Sequence, residues 1–175
     1  MSVPVSWVVT LMVALEPSAP WRDTYEKTAA AIARASEADP LFDADGGEAR
    51  TAALLVAIAW TESHLKPNAK SRNGRWYCLY QIDKGHLADP KKTLDDPDLC
   101  TRTAMKLLHG SFERCKKHPL DDRLAGFVSS SCDKGLRESR YRMHLAKKLV
   151  KDHPVPAEPA GGRDAGAVTA SVSAR

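Results

Sequence analysis

The chain has 175 residues, 43% of them hydrophobic and 27% charged, which suits one globular domain with a real core. Ala, Leu, Lys, Arg and Glu dominate while β-branched residues are scattered, arguing against a strand-built fold and for a mainly α one. The net charge of +4 permits attraction to a polyanion but is too small to demand one.

Near the N-terminus an apolar run spans about Trp7 to Leu15. It is too short to cross a membrane, lacks the basic leader of a secretory signal, and ends in EPSAP, a poor cleavage site. It reads as a first domain helix broken by Pro17 and Pro20. A second, Ala-rich helix is predicted over Thr24 to Ala38, and Pro40, Gly46 and Gly47 then break the periodicity. The third helix, about Glu48 to Ser63, is apolar nearly all round, the pattern of a central buried helix. After Pro67, Asn73-Gly74 marks a tight turn, and Trp76, Tyr77, Tyr80 and Ile82 favour a short strand or ribbon.

Asp95 to Asp98 supply start signals for a helix through about Cys115, with Leu99, Thr103, Leu107, Leu108 and Phe112 inward. A further helix follows His118-Pro119, carrying Leu120, Leu124 and Phe127 and ending near Ser129–Ser131. The last helix spans about Gly135 to Val150, with Leu136, Met143, Leu145 and Leu149 inward. From His153 the composition shifts to a Pro, Ala, Gly and Ser tail, read as disordered.

Glu62 is the residue that asks for an explanation. The run TAALLVAIAW at 51–60 holds almost nothing polar, and the helix then ends on a carboxylate. Burying a charge is costly, and the C-terminal end of a helix is the wrong end for an anion. A protonated carboxyl removes both objections. If the ribbon folds back over the helix end, Glu62 sits in a cleft of low dielectric, where its pKa rises toward that of a general acid.

The helix ending in Glu62-Ser63, then LYQI at 79–82, then LAGFVSSSC at 124–132 together resemble the soluble lytic transglycosylase and goose-type lysozyme family (the SLT domain). The resemblance covers roughly residues 48–145. It implies a lysozyme-like α domain, assigned to 1–151, with a small β-ribbon near the active-site cleft; the disordered tail read from composition takes 152–175. Glu62 matches the catalytic acid/base and Ser63 the serine whose hydroxyl orients it. Gln81 matches the glutamine that contacts sugar or backbone, and Leu79 and Tyr80 the two positions before it. Cys78 stands where the family usually has glycine. In the third segment Phe127 replaces the family's tyrosine, Val128 its asparagine and Ser130 its glycine.

The implied reaction is cleavage of the β-1,4 bond between N-acetylmuramic acid (MurNAc) and N-acetylglucosamine (GlcNAc), giving a 1,6-anhydro sugar rather than a hydrolysed end. One glutamate serves as acid and then as base, assisted by the substrate's N-acetyl group, with Asp83 the nearest second carboxylate. Phe127 keeps an apolar wall but has no hydroxyl to donate. Recruitment of Tyr80 or Tyr77 in its place, or a catalytically degenerate peptidoglycan-binding or assembly protein on the same fold, stays open. The implied partner is the peptidoglycan glycan strand, in the periplasm, outside the cell or on a virion, with a secretion or phage-delivery machine as carrier. No cofactor is called for.

The four cysteines, Cys78, Cys100, Cys115 and Cys132, suggest two disulfides and an oxidising destination. If 97–115 is one helix, Cys100 and Cys115 lie ~22 Å apart and cannot pair. Cys78 then joins either of them and Cys132 the other, with buried free thiols as the alternative. No CxxC spacing or histidine motif calls for a metal. Lys66, Lys70, Arg72 and Arg75 are expected to flank the cleft, Trp76 to offer a stacking platform, and Trp60 to join the core. The basic last helix, with Arg137, Arg140, Arg142, Lys147, Lys148 and Lys151, lacks a preceding helix-turn-helix pattern, so nucleic acid is not an expected partner.

Overall fold

The computed structural model describes residues 2–156. The helices are α1 (Val5–Leu15), α2 (Tyr25–Ala38), α3 (Gly47–Ser63), α4 (Pro90–Asp95), α5 (Pro97–Arg114), α6 (Ala125–Ser129) and α7 (Leu136–Asp152). Strands β1 (Trp76–Tyr77) and β2 (Ile82–Asp83) pair antiparallel, Trp76 opposite Asp83 and Tyr77 opposite Ile82. The mainly helical architecture with one small ribbon is the fold the sequence predicts. Among the described residues, no helix is long and apolar enough to cross a membrane.

Helix α3 is the axis of the molecule. Its side chains from Thr51 to Ala59 are all buried, and α1, α2 and α7 pack around it. A helix enclosed on every side must be apolar on every side, which accounts for TAALLVAIA. Helix α1 supplies Trp7, Val8, Leu11 and Met12 to the same core. Helix α7 adds Met143, Ala146 and Leu149, while Leu145 and Leu136 are only half-buried.

Between the ribbon and α7 the structure departs from the predicted elements. The predicted start of one helix at Asp95–Asp98 is the second of two starts. Asp89 and Asp96 each accept a bond from the backbone N–H three residues on (Lys92 and Leu99, both 3.0 Å), and each is followed by a proline in the first turn. The same capping chemistry therefore opens α4 and then α5. The buried face of α5 is also rotated from the predicted one. Cys100, Thr101, Ala104, Met105, Leu108, Ser111 and Phe112 face inward, and Leu99, Thr103 and Leu107 are half-buried.

The helix predicted after Pro119 is a 3-10 turn (Leu120–Asp122) followed by the five-residue α6. What shortens it is attachment to α5. Ser111 Oγ donates to Arg123 O (2.7 Å) and accepts from Phe127 N (2.8 Å). Gly126 lies so close to α5 that a Cβ there would sit 2.8 Å from Ser111 Oγ and 3.2 Å from Cys115 Sγ. Of the residues assigned to the tail, Asp152 closes α7, His153 O accepts from Trp7 Nε1 (2.8 Å), and Val155 packs against the core. The tail from residue 157 onward lies outside the described residues.

Disulfides join Cys78 to Cys100 and Cys115 to Cys132, one of the pairings the helix-length argument allowed. Helix α5 thus anchors both the ribbon and the segment after α6. The bridges close loops of 22 and 17 residues, and each limits the unfolded chain by about 3 kcal/mol on loop entropy. Changing Cys78 and Cys100 together to serine is therefore expected to lower the urea-unfolding free energy by about 3 kcal/mol. A loss under about 1 kcal/mol would show that this bridge adds little to the fold.

Candidate active site

The end of α3 is built to turn sharply. His64 and Leu65 both adopt left-handed φ (51° and 61°). His64 N bonds Trp60 O (2.9 Å) and Leu65 N bonds Ala59 O (3.3 Å), so the reversing chain itself satisfies carbonyls of the last helical turn. Leu65 is fully buried and holds the reversal in place. Glu62 therefore sits in the last turn of a rigid, capped helix.

Ser63 does not orient Glu62, contrary to what the family resemblance implies. Its hydroxyl donates to Leu79 O (2.7 Å), with Ala59 O at 3.0 Å, so it fastens the LYQI segment onto the end of α3. The residue that holds Glu62 is Arg142, from the buried side of α7. Its Nη2 donates to Glu62 Oε1 (2.7 Å) and its Nε to Thr61 Oγ1 (3.0 Å). The arginine side chain is only 10% exposed and the glutamate 24%. A guanidinium thus answers the helix-dipole problem that protonation alone was expected to answer. Burial pushes the Glu62 pKa up, the charge and hydrogen bond of Arg142 pull it back, and burial prevails. Glu62 Oε2 has no hydrogen bond among the described residues, and neither has the buried Nη1 of Arg142.

Glu62 opens onto a cleft of about 760 Å³ that also receives Trp76, Gln81, Phe127 and Arg142. The three sequence segments behind the family resemblance are thus brought to one cavity. Gln81 sits at φ 46° in the turn between the strands, and its Nε2 donates to Cys78 O (3.1 Å). Cys78 and Ser130, which stand where the family usually has glycine, both adopt left-handed φ (57° and 60°). The conformation glycine would adopt freely is thus kept by other residues, at Cys78 with a disulfide to hold it. Among the described residues five non-glycine residues have positive φ; Gln81 and Ser130 line the cleft and His64, Leu65 and Cys78 lie within three residues of others that do, and backbone strain of this kind gathers at functional sites.

Trp76, 38% exposed, presents a ring to the cleft, with the Arg75 guanidinium 5.0 Å from its centroid. Tyr80 touches the cleft but is 1% exposed. Its hydroxyl is buried beside Thr101 without a well-formed hydrogen bond, and burial raises its pKa. It cannot supply the hydroxyl missing at Phe127. Tyr77 lies outside the cleft lining, beneath Lys70 Nζ (5.2 Å from the ring centroid). Asp83 is committed elsewhere: its carboxylate takes Arg75 Nε (2.6 Å) and Gly85 N (2.9 Å), which hold its pKa down. Of the four cations expected to flank the cleft, only Arg75 lines it, and Lys66 lies over the Trp21 ring. Trp60 is half-buried, its Nε1 3.3 Å from Glu16 Oε2. Among the described residues, no cluster of His, Cys, Asp or Glu side chains is arranged to hold a metal ion.

Residues 41–130, just over half of the chain, match the family described as the transglycosylase SLT domain. The chain belongs to the transglycosylase SLT domain family. Members of this family are lytic transglycosylases that act on peptidoglycan, in the periplasm or cell wall. No curated protein and no solved structure matches the chain. The SLT segment contains Glu62, Ser63, Gln81 and Phe127 but ends twelve residues before Arg142. The motif spacing of acids and bases does not reach that arginine. The one available signal was an arginine next to Met143 and three residues from Ser139 on an otherwise core-facing stripe of the last helix.

Proposed function

We propose that the protein cleaves the β-1,4 bond between MurNAc and GlcNAc in peptidoglycan as a lytic transglycosylase, with Glu62 as the single acid and base. The observation that carries this reading is a half-buried carboxyl with a raised pKa, fixed at one oxygen and open at the other, facing a cleft large enough for a glycan. With Oε1 held by Arg142, the proton resides on Oε2. Oε2–H donates its proton to the glycosidic oxygen, and the C1–O bond breaks toward the GlcNAc leaving group. Positive charge then builds at C1 of MurNAc. The resulting carboxylate takes the proton of the MurNAc O6 hydroxyl as O6 bonds to C1. The 1,6-anhydro ring closes, Glu62 is protonated again, and no water is consumed.

A classical two-carboxylate mechanism needs a second free acid or base. Asp83, tied to Arg75 and to a backbone N–H, is poorly suited to that task. The substrate's own N-acetyl and O6 groups fill the role instead. Gln81 and Trp76 are proposed to contact the sugars, and Phe127 to wall the cleft. Two disulfides fit action in an oxidising space, either the periplasm or outside the cell.

One observation favours a second reading, a glycan-binding protein without turnover: Phe127 brings no hydroxyl to the site, and Tyr80 cannot replace it. Incubating the protein with purified sacculi separates the two. The proposal expects soluble muropeptides whose mass shows the 1,6-anhydro end, 18 Da below the hydrolysed form by loss of one water (about 18 by simple stoichiometry). Release of reducing ends instead would make the protein a hydrolase, and binding without release would support the second reading.

A further inference from the structure

We infer that Arg114 selects glycans that carry a carboxylate, by pairing with that group at one wall of the cleft. The inference deepens the proposed function and rests on the cleft being a glycan site. It comes from the pairing of the charges around the cavity. Glu62 is taken by Arg142 (2.7 Å) and Asp83 by Arg75 (2.6 Å). Those two pairs cancel. What remains among the lining side chains is the Arg114 guanidinium, together with His86. Among the described residues Arg114 has no carboxylate partner, and its one hydrogen bond is a long contact from Nη1 to Ser130 O (3.4 Å).

The position of Arg114 is fixed although its tip is free. It is the last residue of α5, next to Cys115, whose disulfide to Cys132 pins that end of the helix to the segment after α6. The guanidinium is therefore exposed and unneutralised at a cleft that Phe127 and Val128 also line. A planar fork in that setting is suited to bidentate capture of a carboxylate. A neutral sugar polymer offers it nothing. Peptidoglycan does: each muramic acid carries a lactyl group that ends in a peptide stem, or in a free carboxylate once the stem is removed. The shared chemistry is a carboxylate hanging from alternate sugars.

The test measures binding by calorimetry in the Glu62→Gln background, so that ligands stay intact. Because that change leaves Arg142 without its carboxylate, Arg114→Met and Arg114→Lys are compared within the same background. The ligands are stem-bearing glycan strands, strands stripped of stems by an amidase, and neutral chitin oligosaccharides of equal length. At least one carboxylated ligand is expected to bind about tenfold more tightly than chitin, with the advantage lost in Arg114→Met and partly kept in Arg114→Lys. Preference for stem-bearing strands alone assigns the contact to a stem carboxylate, preference for stripped strands alone assigns it to the lactyl carboxylate, and equal preference for both shows that Arg114 accepts a carboxylate from either source. Equal affinity for all three ligands, no binding at all, or a preference untouched by Arg114→Met overturns the inference. Turnover is read separately, from sacculi. Product without preference sinks Arg114 alone, and preference without product leaves Arg114 standing while the catalytic proposal fails.

Discussion

Glu62→Gln is expected to cut the release of muropeptides from sacculi by about a thousandfold or more, with binding of the glycan retained. General acid–base catalysis contributes roughly 10²–10⁴ in rate, and here one side chain serves both proton transfers. The amide matches the carboxyl in shape, and its oxygen can still accept from Arg142 Nη2, so the cleft keeps its form. It has no proton to give to the leaving oxygen and no basicity toward the O6 hydroxyl. Circular dichroism and thermal unfolding establish that the variant is folded, and the drop in rate then reads the chemistry. A residual rate within tenfold of the parent would place the proton donor elsewhere.

Wild-type activity should also fall as pH rises through the Glu62 pKa, because the first step needs the protonated form. Burial has moved that pKa above its ordinary value of 4.5, so the alkaline limb is expected at higher pH than for an exposed glutamate. A pH profile of kcat/KM from soluble strands provides the check.

Much of this site was legible in the sequence because the physics that places it is local. A helix apolar on every face has to be central, and a carboxylate at its end has to be either solvated or functional. Asn73-Gly74 and the aromatics after it forced a ribbon, and the helix-length argument limited which cysteines could meet. The misreadings concern what lies between elements. Asp89-Pro90 carries the same start signal as Asp96-Pro97, yet a six-residue helix has too few periods to show a pattern. The buried face of α5 does not follow its large apolar residues alone. The interior there is shaped instead by Cys100, Thr101, Ala104 and Ser111, small groups that let the ribbon and α6 come close.

The hydrogen bonding of Tyr80 and Ser63 was not legible for a different reason. Each sits where a motif places it, but a residue's position in a motif does not fix its hydrogen bonds. Ser63 spends its proton on Leu79 O, and Tyr80 turns its hydroxyl into the core. The basic last helix shows the same limit from the other side. Its charge count alone would permit a polyanion surface, whereas Arg140, Lys147 and Lys148 meet Asp122, Asp121 and Asp152 and Arg142 meets Glu62. Sequence gives the number of charges and tertiary structure gives their pairing.

Arg142 is where that pairing has the largest consequence. Replacing it with methionine keeps most of the buried aliphatic volume and removes the guanidinium, leaving Glu62 with burial and no cation. Two effects should follow, of defined sign. The first is kinetic. The guanidinium holds the Glu62 pKa down, so its loss lets the pKa climb further, and the alkaline limb of the pH–rate profile moves to higher pH. The rate at the optimum falls even so, since the hydrogen bond that fixes Oε1 is gone. A charge-assisted bond of roughly 1.5–3 kcal/mol used for orientation corresponds to about ten- to a hundredfold.

The second effect is on stability. Removing one partner of a buried ion pair costs about 3–5 kcal/mol, and the partial exposure of Glu62 argues for the lower end near pH 7. That cost depends on pH because the stranded glutamate can take up a proton. Its folded pKa lies above the unfolded value of 4.5, so the folded state binds the extra proton across that interval. Stability is therefore fully present below pH 4.5 and is lost as pH rises through the folded pKa. Denaturation midpoints of Arg142→Met and the parent protein should converge toward acid and diverge toward neutrality. Arg142→Lys keeps the charge but not the fork that spans Thr61 and Glu62, so it should leave the alkaline limb near its original pH and restore only part of the rate. A merely structural arginine would lower stability equally at every pH and leave the limb where it was. An unmoved limb in Arg142→Met would therefore remove Arg142 from the proton chemistry and return the helix-dipole problem at Glu62 to protonation alone.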